Sequence, residues 1–227
     1  HAARIRHWLF DETLPLWSTK GVDHVHGGFH EALTLHAEPV ARDKRMRTMG
    51  RQIYAFGVAH EMGWNGPALD LIDHGIRFIE KHGRSKNGGW VRTLGVDGSV
   101  SDSAEDAYDH SCILLALAFA LKAGHKDAAR LGSETFAFID RHLSADGGAS
   151  FLETSQGGTP RRSNPHMHLF EACLAWHKVT GEAAYLARAT KIANLFAARF
   201  FDPDTWTLGE YFESDWLPAA GDKGTWT

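Results

Sequence analysis

The sequence predicts an all-α fold in which helix pairs stack side by side into a ring, with short β-hairpins along one rim. Three observations lead there: a repeat of about sixty residues, two helical segments in each repeat, and the same turn chemistry at the same place in each. Strand-like segments open with paired glycines at "GGFHEALTL" from Gly27, "GGWVRTLGV" from Gly88 and "GGASFLETS" from Gly147, spaced 61 and 59 residues apart. A weaker copy, "WTLGEYFES", places Gly209 another 61 residues beyond Gly148. A fixed period of this length marks a repeat architecture, because one helix pair cannot bury both of its faces alone.

Each hairpin segment leads into two helices. After "GGFHEALTLHAEP" the apolar spacing predicts helices over 46–63 and 67–82. After "GGWVRTLGVDGSV" it predicts 104–123 and 127–142, with Ser103 and Asp106 in a capping-box pattern and Gly124 as the stop. After "GGASFLETSQGGTP" come 166–180 and 183–199, with Asn164-Pro165 reading as a cap followed by proline at the first helical position. Closing a ring of six such pairs takes roughly 360 residues at this period. The chain holds fewer than four units, so the expectation is one domain over 1–227, incomplete at its C-terminus, with about the first seven helices.

Composition narrows the function. With 43% hydrophobic residues the 227-residue chain can bury a sizeable core, and its formal charge of −4 is spread without long single-sign runs. Nucleic acid and membrane surfaces are therefore not expected partners. Cys112 and Cys173 both fall in apolar helical runs and read as buried, reduced and structural. No apolar stretch reaches membrane-span length and the N-terminus lacks a signal-peptide layout, so a cytoplasmic location is expected. A homo-oligomer is compatible with all of this.

Candidate site residues emerge from repeat coordinates. Arg51, Tyr108 and His168 lie 57 and 60 residues apart, each in the first helix after its hairpin, and read as one phase of the repeat lining a mouth of the central cavity. Asn164, His168 and Glu171 follow i, i+4, i+7 spacing and stack on one helix face. A histidine beside a carboxylate on such a face is oriented for proton transfer; the competing reading makes Asn164 only a cap. His166 and His168, two apart on a helix, point in different directions and cannot close on one ion. His24, His26 and His30 in "DHVHGGFH" lack a carboxylate or thiolate partner pattern, so no metal and no cofactor is expected. Trp90, Trp206 and Trp216 offer sugar-stacking faces or plain packing between hairpin and helix, and packing is preferred for the first two.

"DHVHGGFH", "RTMGRQ", "YDHSCILLAL", "NPHMHLFEA" and "EYFESDW", in this order along the whole chain, give a sequence that resembles the N-acylglucosamine 2-epimerase superfamily. That superfamily includes mannose isomerases and cellobiose 2-epimerases. The resemblance implies an (α/α)6 barrel, in agreement with the repeat. It implies a monosaccharide substrate, free or phosphorylated, and proton abstraction beside the carbonyl of an opened sugar. "NPHMH" looks closer to the mannose-type aldose–ketose isomerases than to the 2-epimerases, which remain the alternative.

By the same resemblance Arg51 contacts the sugar near its reacting carbons, Tyr108 and Trp216 are pocket aromatics, and Asn164 and His168 hold or help open the ring. His168 and Glu171 are the candidate catalytic residues, with Glu171 orienting His168. Two departures stand out. Arg47 replaces a tryptophan common four residues before the arginine, either as a cation suited to an anionic sugar or as a solvated helix residue. A proline-glycine-histidine segment with its following Glu, and a C-terminal histidine, are not present; in the family these supply the acid–base pair. The next polar position of the repeat would fall near 225–231, where the sequence ends without a histidine. A chain ending at Thr227 is therefore expected to be inactive, with an exposed apolar edge. Two readings from other classes remain. A glycoside hydrolase would pair Asp106 or Asp109 with Glu171, although no second acid sits at the matching phase, and the last reading is a non-catalytic binding protein.

Overall fold

A computed structural model describes residues 1–219. The N-terminal rod runs through α1 (Ala2–His7), a π-helical stretch (Trp8–Thr13) and α2 (Leu14–Thr19) without leaving helical backbone angles at the joints. Three helix pairs follow: α3 (Met46–Glu61) with α4 (Ala68–His82), α5 (Ala107–Lys122) with α6 (Ala128–Phe138), and α7 (Ser163–Thr180) with α8 (Ala183–Leu195). The last two outer helices are extended by π-turns, Ile139–Leu143 and Phe196–Phe200, so the expected ends near 142 and 199 hold.

Inner and outer layers follow from composition. α5 packs against α3 on one side and α7 on the other, with α6 behind it, which demands apolar residues nearly all round. "CILLALA" supplies them, and Cys112 to Leu114 and Ala116 to Ala118 are all buried. α4 packs chiefly on α3 and needs a single stripe, built by Leu71, Ile72, Ile76 and Ile79. Close approach of the inner helices depends on Gly50, where a Cβ would lie 3.0 Å from the backbone of Cys112. Fully burying a side chain such as Ile113 or Leu117 contributes about 1.5–3 kcal/mol. Both expected structural cysteines are buried and free.

The paired glycines make the rim turns. Gly27, Gly88 and Gly147 all hold positive φ, at 88°, 87° and 65°, a region closed to most L side chains, which explains why the motif recurs. The strands at the rim tie successive repeats together. β1 (Lys44–Arg45), just before α3, pairs antiparallel with β2 (Thr93–Leu94) of the next repeat, and β2 pairs with β3 (Val100–Asp102). β4 (Ser144–Ala145) pairs with β5 (Ser150–Phe151) as the third hairpin. β6 (Arg161–Arg162), just before α7, pairs with β9 (Tyr211–Phe212) beyond the hairpin of β7 (Phe201–Asp202) and β8 (Thr207–Leu208).

Each inner helix also hands its first backbone N–H to the following hairpin. Met46 donates to the carbonyl of Arg92 at 2.9 Å, Ala107 to Glu153 at 3.0 Å and Ser163 to Glu210 at 3.0 Å. One of the unpaired donors at every inner N-terminus is thereby satisfied by the neighbouring repeat. Two sequence expectations change as a result. The cap of α5 is Asp106, which accepts from the N–H groups of Tyr108 and Asp109, so Ser103 starts no capping box. Asn164 is the second residue of α7, whose cap is Arg162 with no side-chain bond, so Asn164 does not cap.

Candidate functional site

The shared first hydrogen bond sets a common register for the inner helices. The second residues of α3, α5 and α7 are Arg47, Tyr108 and Asn164, and the sixth are Arg51, Cys112 and His168. Tyr108 is therefore one turn nearer the rim than Arg51 and His168, not in the same phase, and Cys112 takes the position between those two. The three expected residues meet all the same, because a long helical side chain such as Arg51 leans over the turn N-terminal to its own.

Arg51 reaches along α3 and donates through Nη2 to the hydroxyl of Tyr108, with its guanidinium 5.4 Å from that ring. On the other side the Tyr108 ring meets the His168 imidazole at 4.9 Å between centroids. His168 Nδ1 lies 2.8 Å from Glu171 Oε2, one turn further along α7. A carboxylate can only accept, so Nδ1 carries the proton and Nε2 is left as the basic nitrogen. Arg51, Tyr108, His168 and Glu171 thus form one line of contacts across three helices. Burial, then the neighbouring Cys112 thiol, raise the Tyr108 hydroxyl above its usual range, so it stays a neutral donor. Burial also pushes the Cys112 thiol up to about 12.

Asn164 and Trp216 sit differently. The Oδ1 of Asn164 is buried and has no partner among the described residues, an arrangement that costs energy unless something bonds to it. Trp216 is 9% exposed and packs with Phe200 and Phe212, its indole edge-on to His166 and under the guanidinium of Arg161. Its ring contacts run to that cluster and not to Tyr108 or His168.

Two groups beside the site, Arg47 and Asp109, form a pair that the sequence reading did not join. Arg47 has its guanidinium 5.6 Å from the Tyr108 ring and only 23% of its side chain exposed, so it is no solvated helix residue. The fully buried Asp109 holds it: Oδ1 accepts the Arg47 backbone N–H at 3.0 Å and faces Nη1 at 3.4 Å. Burial, then the Asp106 carboxylate, raise Asp109 to about 7 against the pull of Arg47. The signal for this pair was the acid inside the apolar run "YDHSCILLAL", since a buried acid needs a partner.

Two further histidines are structural. His110 accepts the Trp90 N–H at 3.0 Å and His166 accepts the Phe151 N–H at 3.0 Å, while the other nitrogen of each faces the backbone oxygen four residues back. With both nitrogens engaged, His110 and His166 clip each hairpin to its inner helix. Asp23 turns "DHVHGG" by accepting from the N–H groups of Val25 and His26, and pairs with the buried Lys44. Trp90 is fully buried and bonds Thr135, as packing requires, whereas Trp206 is 82% exposed.

The model of the family N-acylglucosamine 2-epimerase (GlcNAc 2-epimerase) matches residues 27–226. The chain belongs to this family. It is 35% identical over 228 residues to a mannose-6-phosphate isomerase of Rhizobium meliloti (strain 1021), covering 98% of this chain and 59% of that protein. To a D-mannose isomerase of Thermobifida fusca it is 33% identical over 176 residues, covering 75% and 43%. A sugar epimerase from a ruminal bacterium superposes with a TM-score of 0.88 at 21% identity, over 96% of this chain and 60% of that one. The chain thus covers 59% of the Rhizobium protein, 43% of the Thermobifida protein and 60% of the ruminal epimerase. Its helix pairs have the fold of this part of the (α/α)6 epimerases, as the repeat predicts. Among the described residues no helix is long and apolar enough to cross a membrane.

Proposed function

We propose that the whole protein is an aldose–ketose isomerase of mannose-type sugars, acting by proton transfer beside the carbonyl of the opened ring. One observation carries this reading: the continuous contact from Arg51 through Tyr108 to His168 and Glu171. It presents a cation, a neutral hydroxyl and a basic imidazole nitrogen along one face of the inner helices. Membership of a sugar isomerase and epimerase family supports it.

In this reading His168 takes the proton from the anomeric hydroxyl and returns it to the ring oxygen, which opens the ring. Glu171 acts as a positioning residue that keeps Nδ1 protonated and stabilises the imidazolium while it lasts. The proton beside the carbonyl then passes to the acid–base pair that the family resemblance places outside these residues, while Arg51 faces the oxygen on which negative charge grows as the enediol forms, where a fixed donor is effective. Asn164 offers its unbonded Oδ1 to a sugar hydroxyl. Trp216 closes the floor behind His166 and contributes only its exposed edge to the sugar. Asp109 is buried and held by Arg47, and Asp106 is engaged as the α5 cap, which argues against either as the second acid of a hydrolase.

The test is product analysis of the whole protein with mannose, in the presence and absence of a strong chelator. Fructose formed at the same rate in both supports the reading. Glucose as the sole product would favour 2-epimerisation, and activity restored only by a divalent ion would overturn the metal-free mechanism.

A further inference from the structure

The site contains more positive charge than its acids neutralise. Arg51 forms no ion pair among the described residues, and its hydrogen bond goes to the neutral Tyr108 hydroxyl. Arg47 has one ion pair, the 3.4 Å contact with Asp109, whose second oxygen is buried without a partner. Arg47 and Arg51 stand one helical turn apart on α3, and both guanidiniums approach the same ring, at 5.6 and 5.4 Å. Glu171, the remaining acid of the contact line, is taken by His168.

Resting on the isomerase reading above, we propose that Arg47, positioned by the buried Asp109, selects a monosaccharide carrying a terminal phosphate over the neutral sugar. The backbones of Arg47 and Arg51 are one turn of helix apart, about 5.4 Å, with Arg47 on the rim side. Arg51 stays at the reacting end, and Arg47, nearer the rim, meets the other end. A guanidinium donates to phosphate through a planar fork, which makes arginine suited to a phosphate monoester. Asp109 removes the freedom of Arg47 by binding both its backbone and its side chain. Because it does so from the buried side with a single oxygen, most of the Arg47 donors remain available to a ligand.

Calorimetric binding of mannose 6-phosphate, mannose and inorganic phosphate to the whole protein tests this without requiring turnover. The expected result is tighter binding of the sugar phosphate than of either other probe. Arg47→Met should reduce the preference for sugar phosphate over sugar about tenfold to a hundredfold, the range for one hydrogen bond to a charged group. Arg47→Lys should recover part of it. Asp109→Asn should reduce the same preference less than Arg47→Met. If that variant fails to fold, the Arg47 pair still decides the selectivity claim. Equal affinity for phosphorylated and neutral sugar, or a preference untouched by Arg47→Met, would overturn the proposal. An unchanged preference in a folded Asp109→Asn variant would remove Asp109 from it. Selective binding without isomerisation of either sugar would instead sink the isomerase reading and leave the anion site standing.

Discussion

The rings of Tyr108 and His168 meet at 4.9 Å across the α5–α7 boundary, although their helices place them one turn apart in the repeat. Tyr108 also receives Arg51 from α3, so a single phenol joins three inner helices. This contact is polar and lies at the N-terminal ends of those helices, above a core that is otherwise apolar.

Replacing His168 by alanine should leave the protein folded and cut isomerisation about a hundredfold or more, because general acid–base groups contribute that much. Glu171→Gln should cost less, about tenfold, since the imidazolium loses the carboxylate that holds it. Steady-state rates across pH, with circular dichroism as the folding control, check both. Near-normal turnover in folded His168→Ala would return His168 to a packing role.

Tyr108→Phe keeps the ring contact with His168 and deletes the hydroxyl that Arg51 holds. Turnover is expected to fall about tenfold with little loss of stability, whereas Arg51→Ala should cost about a hundredfold. If Arg51 serves only to pack Tyr108, the two variants will lose activity equally, and that outcome would refute the assigned role.

The hairpin clips predict acid sensitivity. Burial lowers both His110 and His166 to about 4, so between that value and their usual 6.5 the unfolded chain binds more protons than the folded one. The stability these histidines contribute is complete above pH 6.5 and is lost as pH falls, by about 2 kcal/mol each between pH 7.5 and 5. Asp109, raised to about 7, has the opposite sign: its folded form holds the extra proton, so it stabilises the fold as pH drops through that window. Urea denaturation at the two pH values should therefore show a steeper acid loss in Asp109→Asn and a shallower one in His166→Gln. A His166→Gln protein with unchanged pH dependence would show that the clip is not what titrates.

Much of the architecture was legible because repeats write it several times. The paired glycines at 27, 88 and 147 mark turns that need positive φ, and the helix pairs between them appear within a few residues of their expected ends. The misplaced caps have a physical cause. Ser103 and Asn164 both precede apolar runs and suit a cap chemically, but the inner N-termini are fixed by backbone bonds to the next hairpin, whose partners lie 46 or 47 residues away in sequence. Ladder bonds of that kind leave no local residue signature.

The sequence by itself determined the helix pairs, the rim turns and the placing of His168 beside Glu171 on one helix face, because periodicity, turn residues and i, i+3 spacing are local properties of the chain. The tertiary structure alone decided the register of the inner helices, the burial of Trp216 and the pairing of Asp109 with Arg47 across 62 residues. These depend on which faces of separate helices come together. A buried acid is stable only beside the donors that packing brings to it, and no local pattern names them.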